Sequence, residues 1–143
     1  MIYEMNLNAS PYEKIASGSK TVELRLFDAK RRRIDIGDKI VFTNLDEPMK
    51  KIAVIVRSLH RYASFEDLFA DIPIEKCGNS STDTPDMATA GMSKYYTADQ
   101  IRKYGVLGIE IVITDTPKVL KQLEEQKEQK EAEFDRLFPD GMK

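Results

Sequence analysis

The sequence is short of the residues from which cross-links and soft-metal centres are built. It holds one cysteine, Cys77, and one histidine, His60, in 143 residues. A single cysteine cannot form an internal disulfide, and one cysteine with one histidine cannot build a Cys/His zinc site. No stretch approaches the ~20 apolar residues of a membrane helix. The opening Met1-Ile2-Tyr3-Glu4-Met5 has neither the basic segment nor the apolar run of a secretory signal. The expectation is a cytoplasmic protein with no membrane attachment. An excess of positive charge is missing as well: 22 basic residues face 24 acidic ones, for a net charge of −2. General nucleic-acid binders are strongly basic, so any such binding must come from a local patch. There are no internal repeats. What is present, 41% hydrophobic and 32% charged residues, fits a single domain that buries about two-thirds of its unfolded surface.

Residues 2–7 alternate as an opening strand does. Ser10, Pro11 and Glu13 then read as cap, first helical residue and capping-box partner of a helix that carries Tyr12, Ile15 and Ala16 and stops at Gly18. A strand over 20–27 puts Val22, Leu24 and Leu26 on a core face and Thr21, Glu23, Arg25 and Phe27 on a polar one. Lys30 to Arg33 is a basic run and Ile36-Gly37-Asp38 a turn. Lys39 to Leu45 is a strand, broken at Asp46-Glu47-Pro48. Ile52 to Leu59 is apolar at nearly every position, as in a strand buried on both faces. Ser64 and Asp67 cap a short helix with Phe65, Leu68 and Phe69. Residues 73–93, polar and rich in turn formers, read as a loop or a lid. Thr97 and Gln100 form a capping box for a helix ending at Gly105. Val106 to Thr114 is the last strand, with Ile109, Ile111 and Ile113 on one face. Pro117 to Phe138 is a charged helix with apolar ends (Val119, Leu120, Leu123; Phe134, Leu137, Phe138), expected to pack on its own chain. The strands lack regular crossover helices, which excludes a doubly wound fold and indicates an α+β one.

Gly18-Ser19-Lys20-Thr21 is not a phosphate loop. That motif needs glycine directly before the lysine and another five positions before that, where Ser19 and Lys14 stand, and it leads from strand to helix, not from helix to strand. Lys20, Glu23 and Arg25 carry more chemistry. A carboxylate beside two cations stays ionised and can act as a general base or as one oxygen ligand of a hard metal. The cations can neutralise phosphate or charge forming on a phosphorane-like state. The same three residues can equally make a salt bridge on a solvated face. On such a face Glu23→Gln is expected to leave the fold intact. Lys30 and Arg31 can hold phosphates or form an ordinary basic loop. Of Tyr95 and Tyr96, one can stack on a base or donate its hydroxyl; alternatively one packs in the core and the other is exposed. Glu110 either faces the barrel mouth and joins the site or faces water on an edge; His60 reads as structural and Cys77 as incidental.

Gly18-x-Lys20-Thr21-x-Glu23-x-Arg25-Leu26, then Asp28, Lys30 and Arg31, Ile36-Gly37-Asp38-Lys39-Ile40-Val41-Phe42, Tyr62-x-x-Phe65, Tyr95-Tyr96, Tyr104-Gly105 and Gly108-Ile109-Glu110-Ile111 resemble, in that order, the ASCH domain family of the PUA-like superfamily. The resemblance covers roughly residues 3–114. It implies a small PUA-like β-barrel of about five to six strands with short flanking helices in a domain over 1–115, followed by a C-terminal helical extension over 116–143. In such domains RNA is held in a cleft between barrel and helix. One family branch is a small amidohydrolase of N4-acetylcytidine, and another cleaves single-stranded RNA with metal help. The amidohydrolase pattern is Lys-x-x-Thr, with threonine as nucleophile; Lys20 matches and Glu23 stands in the threonine's place. The resemblance therefore implies an RNA- or nucleotide-binding module centred on Lys20, Glu23 and Arg25, with Thr21, Lys30, Arg31, Tyr95 and Tyr96 touching the ligand. The alternatives are a hydrolase, either a ribonuclease assisted by Mn²⁺ or Mg²⁺ or an amidohydrolase, using those three residues catalytically, and an interaction module using the C-terminal helix.

Overall fold

A computed structural model describes residues 1–139. Its elements are β1 (Ile2–Leu7), α1 (Ala9–Ala16), β2 (Val22–Leu26), a 3-10 turn (Arg31–Arg33), β3 (Lys39–Asn44), β4 (Lys51–Tyr62), α2 (Phe65–Asp71), a second 3-10 turn (Ile74–Cys77), α3 (Pro85–Met92), α4 (Ala98–Tyr104), β5 (Val106–Ile113) and α5 (Thr116–Leu137). The strands form one sheet in the order β1-β3-β4-β5-β2. Only the β1–β3 pair is parallel. The long β4 serves two neighbours, β3 with its first half and β5 with its second. A bulge between Val56 and Ser58 adds the bend and twist that such an insertion brings. The sheet curls into a half-barrel until its two edge strands meet, where the Arg25 guanidinium on β2 donates to the Asn6 carbonyl on β1 at 2.9 Å.

Packing follows from the curl. The concave face gathers Met5, Leu7, Ile40, Phe42, Val54, Val56, Leu107 and Ile109, closed by Tyr12 and Ile15 of α1. The convex face of β2 and β5 packs Val22, Leu24, Leu26 and Val106 under Phe65, Leu68 and Phe69 of α2 and Ala88 of α3. Val41 and Ala53, also convex, are covered by Val119 of α5. Each valine, leucine, isoleucine, phenylalanine or methionine among them contributes about 1.5–3 kcal/mol through burial. The stretch Ile52 to Val56 is thus covered on both sides, whereas β4 beyond it is partly open. Ile113 is also exposed, because β2 pairs with β5 only as far as Glu110.

The caps of α2 and α4 are as expected: Ser64 Oγ accepts from the Asp67 N–H at 3.1 Å, and Thr97 and Gln100 form a capping box. Two helix starts differ. α1 begins at Ala9 behind Asn8, with no side-chain cap, and Ser10 and Pro11 lie inside its first turn. Pairing of β1 continues to Leu7, opposite Asn44, so the chain must turn immediately afterwards. Within residues 73–93 there is a helix, α3. Thr84 Oγ1 accepts from the Met87 N–H at 3.2 Å and Pro85 takes the first turn, the arrangement that starts helices well. α5 packs by Val119, Leu120 and Leu123. Lys39 donates to Gln122 and Lys127 to Glu4, while Phe134 and Phe138 meet at 4.7 Å at the far, exposed end. Residues 140–143 of the expected C-terminal extension lie outside the described residues. No helix among the described residues is long and apolar enough to cross a membrane.

Candidate functional site

Where β2 approaches β1, a cleft of ≈ 500 Å³ opens between the sheet edge, α1, the turn at Gly78 and Asn79, and the segment from α3 to Tyr96. Its floor is the polar face of β2. Strand alternation points Glu23 and Arg25 to the same side as Leu107 and Ile109, their neighbours on β5, and that side is the barrel interior. Glu23 is 3% exposed and Lys20 8%. The alternative of a salt bridge on a solvated face therefore does not hold for these residues, because the sheet curls over them.

Glu23 is fully engaged. One oxygen takes the Leu24 N–H at 3.0 Å and the Lys20 ammonium at 2.9 Å. The other takes the Arg25 Nη2 at 3.0 Å and Nε at 3.2 Å. Burial alone would raise the pKa of Glu23; the charges and hydrogen bonds of Lys20 and Arg25 outweigh it and hold the pKa below the ordinary 4.5. The triad keeps one surplus positive charge. Lys14 and Lys94 add to it, so four lining cations face one carboxylate in a chain that is net acidic.

The wall beside Lys20 depends on a glycine. Gly78 has φ +95°, and a Cβ there would stand 3.1 Å from Lys20 Cδ. Only a bare backbone lies this close to the lysine stem in that conformation. Its carbonyl accepts from Lys14 Nζ at 2.7 Å. The Cys77 thiol next to it is buried, and burial pushes its pKa up to about 11, so it stays protonated at neutral pH.

The two tyrosines divide between interior and surface, the second of the two readings open to the sequence. Tyr96 stacks on Phe65 with ring centroids 6.0 Å apart. Tyr95 is 58% exposed at the rim of the cleft. Lys20, Glu23, Arg25, Tyr95 and Tyr96 thus come together, whereas Thr21, Lys30 and Arg31 do not line the cleft. Thr21 is held by its backbone, donating to the Lys76 carbonyl and accepting from the Ile111 N–H. Arg31 pairs with Asp28 at 2.8 Å, and Lys30 is exposed. Glu110 lies on the face opposite Glu23, where it accepts from Ser58 at 2.7 Å; Ser58 also meets His60 at 2.9 Å. Asn6, Asn8, Lys14, Asn79 and Lys94 line the cleft without having been singled out in the sequence. None carries a local pattern that separates it from ordinary surface polarity.

The donor set does not fit a divalent cation. Among the described residues Glu23 is the only carboxylate lining the cleft, and both its oxygens are occupied by cationic donors. Among the described residues no group of three His, Cys, Asp or Glu side chains is arranged to hold a metal.

Comparison with known proteins gives a consistent result. The family model of the ASCH domain matches residues 5–134, a span that takes in most of α5. The crystal structure of hypothetical protein PH0355 is similar at a TM-score of 0.71 and 32% identity, covering 80% of this chain and 100% of that one. The solution structure of protein PF0455 from Pyrococcus furiosus is similar at 0.65 and 30%, covering 80% and 99%. A mutant of ZmASCH from Zymomonas mobilis, seen in a crystal structure, shares the fold at 0.51 and 15% identity, covering 79% and 67%. No curated protein matches.

Proposed function

The chain belongs to the ASCH domain family, and on that premise we propose that it binds single-stranded RNA or a nucleotide-like anion in the cleft over Lys20, Glu23 and Arg25. The observation that carries this reading is the buried triad with its surplus positive charge. Desolvating two cations and an anion costs several kcal/mol per ion, and apolar residues of similar volume stabilise such a position as well or better. A charge excess held at the floor of a cleft therefore suits a ligand that completes it. The volume is within the range of small-ligand sites, roughly 300–1,000 Å³. Lys20 and Arg25 receive an anionic or carbonyl group at the floor, Lys14 and Lys94 take phosphate at the walls, and the exposed ring of Tyr95 stacks on a base. Binding is favoured over catalysis because Glu23 has no free oxygen with which to take a proton and because the Cys77 thiol stays protonated.

Fluorescence anisotropy with labelled single-stranded RNA at low salt tests the reading. Tyr95→Ala should weaken binding by about 1–3 kcal/mol, as for loss of one stacked base, and leave the melting temperature unchanged. Lys94→Ala should lower the slope of log affinity against log salt by ~0.7. Absence of binding to RNA and to nucleotides would sink the proposal. RNA cleavage, with or without Mn²⁺, that disappears in Lys20→Ala would replace it with the hydrolase alternative.

A further inference from the structure

A second cationic feature lies beside the cleft and takes no part in it. Phe27 follows β2 on the same side as Arg25, its N–H bonded to the Gly105 carbonyl at 3.0 Å. Two guanidiniums sit over its ring, Arg61 at 4.0 Å from the centroid and Arg32 at 5.2 Å. Lys30 and Arg33 stand on either side of Arg32 in the sequence. All four cations are exposed, and among the described residues none has an acidic partner. This differs from Arg31, which Asp28 neutralises. The ledge also has a fixed relation to the cleft. Arg61 pairs with Leu107, and Leu107 with Arg25, so Arg61 and Arg25 stand in one row across three strands, about 10 Å apart at two strand spacings. Arg32 is further tied down by its Nε, which donates to the Phe27 carbonyl at 3.3 Å; held over the ring in this way, its terminal nitrogens and the Arg61 guanidinium are placed in advance for contact with phosphate.

We propose that the cleft's ligand is a single strand of RNA several nucleotides long, whose phosphates continue from Arg25 over the Arg61–Phe27–Arg32 ledge. This rests on the cleft reading above and adds an exit path and a minimum ligand length.

The test compares the four nucleoside 5′-monophosphates with random-sequence single-stranded RNAs of increasing length, on the full chain and on Arg32→Gln/Arg61→Gln. For the native chain affinity should climb with length until the strand covers the ledge. The double variant should bind monophosphates as the native chain does, lose about tenfold or more in affinity for the longer RNAs, and show a salt slope smaller by ~1.4 for two lost phosphate contacts. Arg32→Lys/Arg61→Lys, keeping charge without the planar fork, should retain the slope. If the glutamine pair perturbs the fold, Arg61→Gln alone, which leaves Arg32 on the ring and on the Phe27 carbonyl, should show a length-dependent loss with a salt slope smaller by ~0.7. Unchanged binding of long RNA, or equal loss for monophosphates and long RNA, would overturn the ledge while leaving the cleft standing. Failure of the native chain to bind any of these probes would overturn the cleft reading and this inference together.

Discussion

Glu23→Gln gives the sharpest test of the site's physics. The substitution keeps the shape of the side chain and removes the negative charge at the cleft floor. Lys20 and Arg25 then remain with one anion fewer, in a place where Glu23 is 3% and Lys20 8% exposed. Removing one partner of a buried ion pair costs about 3–5 kcal/mol. For a chain of this length each kcal/mol moves the melting temperature by about 3 °C. The variant should therefore melt about 9–15 °C below the native chain in circular dichroism at pH 7. Inorganic phosphate should recover part of that loss and do less for the native chain, since an anion bound only by the folded state stabilises it by mass action. Acid should close the gap. The folded-state pKa of Glu23 lies below its ordinary 4.5, so its stabilisation is complete above the unfolded-state value and vanishes as pH falls through the folded-state one. Below that point native and variant chains carry the same charge at position 23 and should melt alike. A difference within about 3 °C at pH 7, or a gap that acid leaves untouched, would refute the idea that the triad is a desolvated charge cluster.

Two further outcomes follow from the same geometry. Arg25→Lys keeps the charge beside Glu23 but cannot reach both Glu23 and the Asn6 carbonyl, so it should lose about 1–2 kcal/mol and speed amide hydrogen exchange in β1. Gly78→Ala should lose about 1–2 kcal/mol for its left-handed backbone and more for the 3.1 Å approach to Lys20; Gly18→Ala, with φ +83° and open space around it, should show the backbone part alone.

Local signals in the chain were enough for most elements. The capping residues Ser64, Thr97 and Gln100, the alternation of β2 and the apolar run of β4 each act within a few residues, and sequence reads such effects directly. Thr84-Pro85-Asp86 is also a good helix start, but the polar run before it and the small residues after it hid α3. The triad residues were visible as a group, and their environment was not. Period-two alternation separates the two faces of a strand without telling which face the sheet will curl around, so a polar interior and a polar exterior read alike. Lys14, Lys94 and the three asparagines reach the cleft only through long-range packing, which no local pattern encodes.

The strand that carries Glu23 and Arg25, with Lys20 just ahead of it, has a single neighbour in the sheet, β5, so position 23 must wait for position 109. During synthesis β1, β3 and β4 can already associate while the triad, made long before, has nothing to pair with. Closing so long a loop is a late and slow step. A ligand spanning the cleft would then act chiefly on the last contacts to form and the first to break, so occupancy should lengthen the native lifetime without hastening its birth.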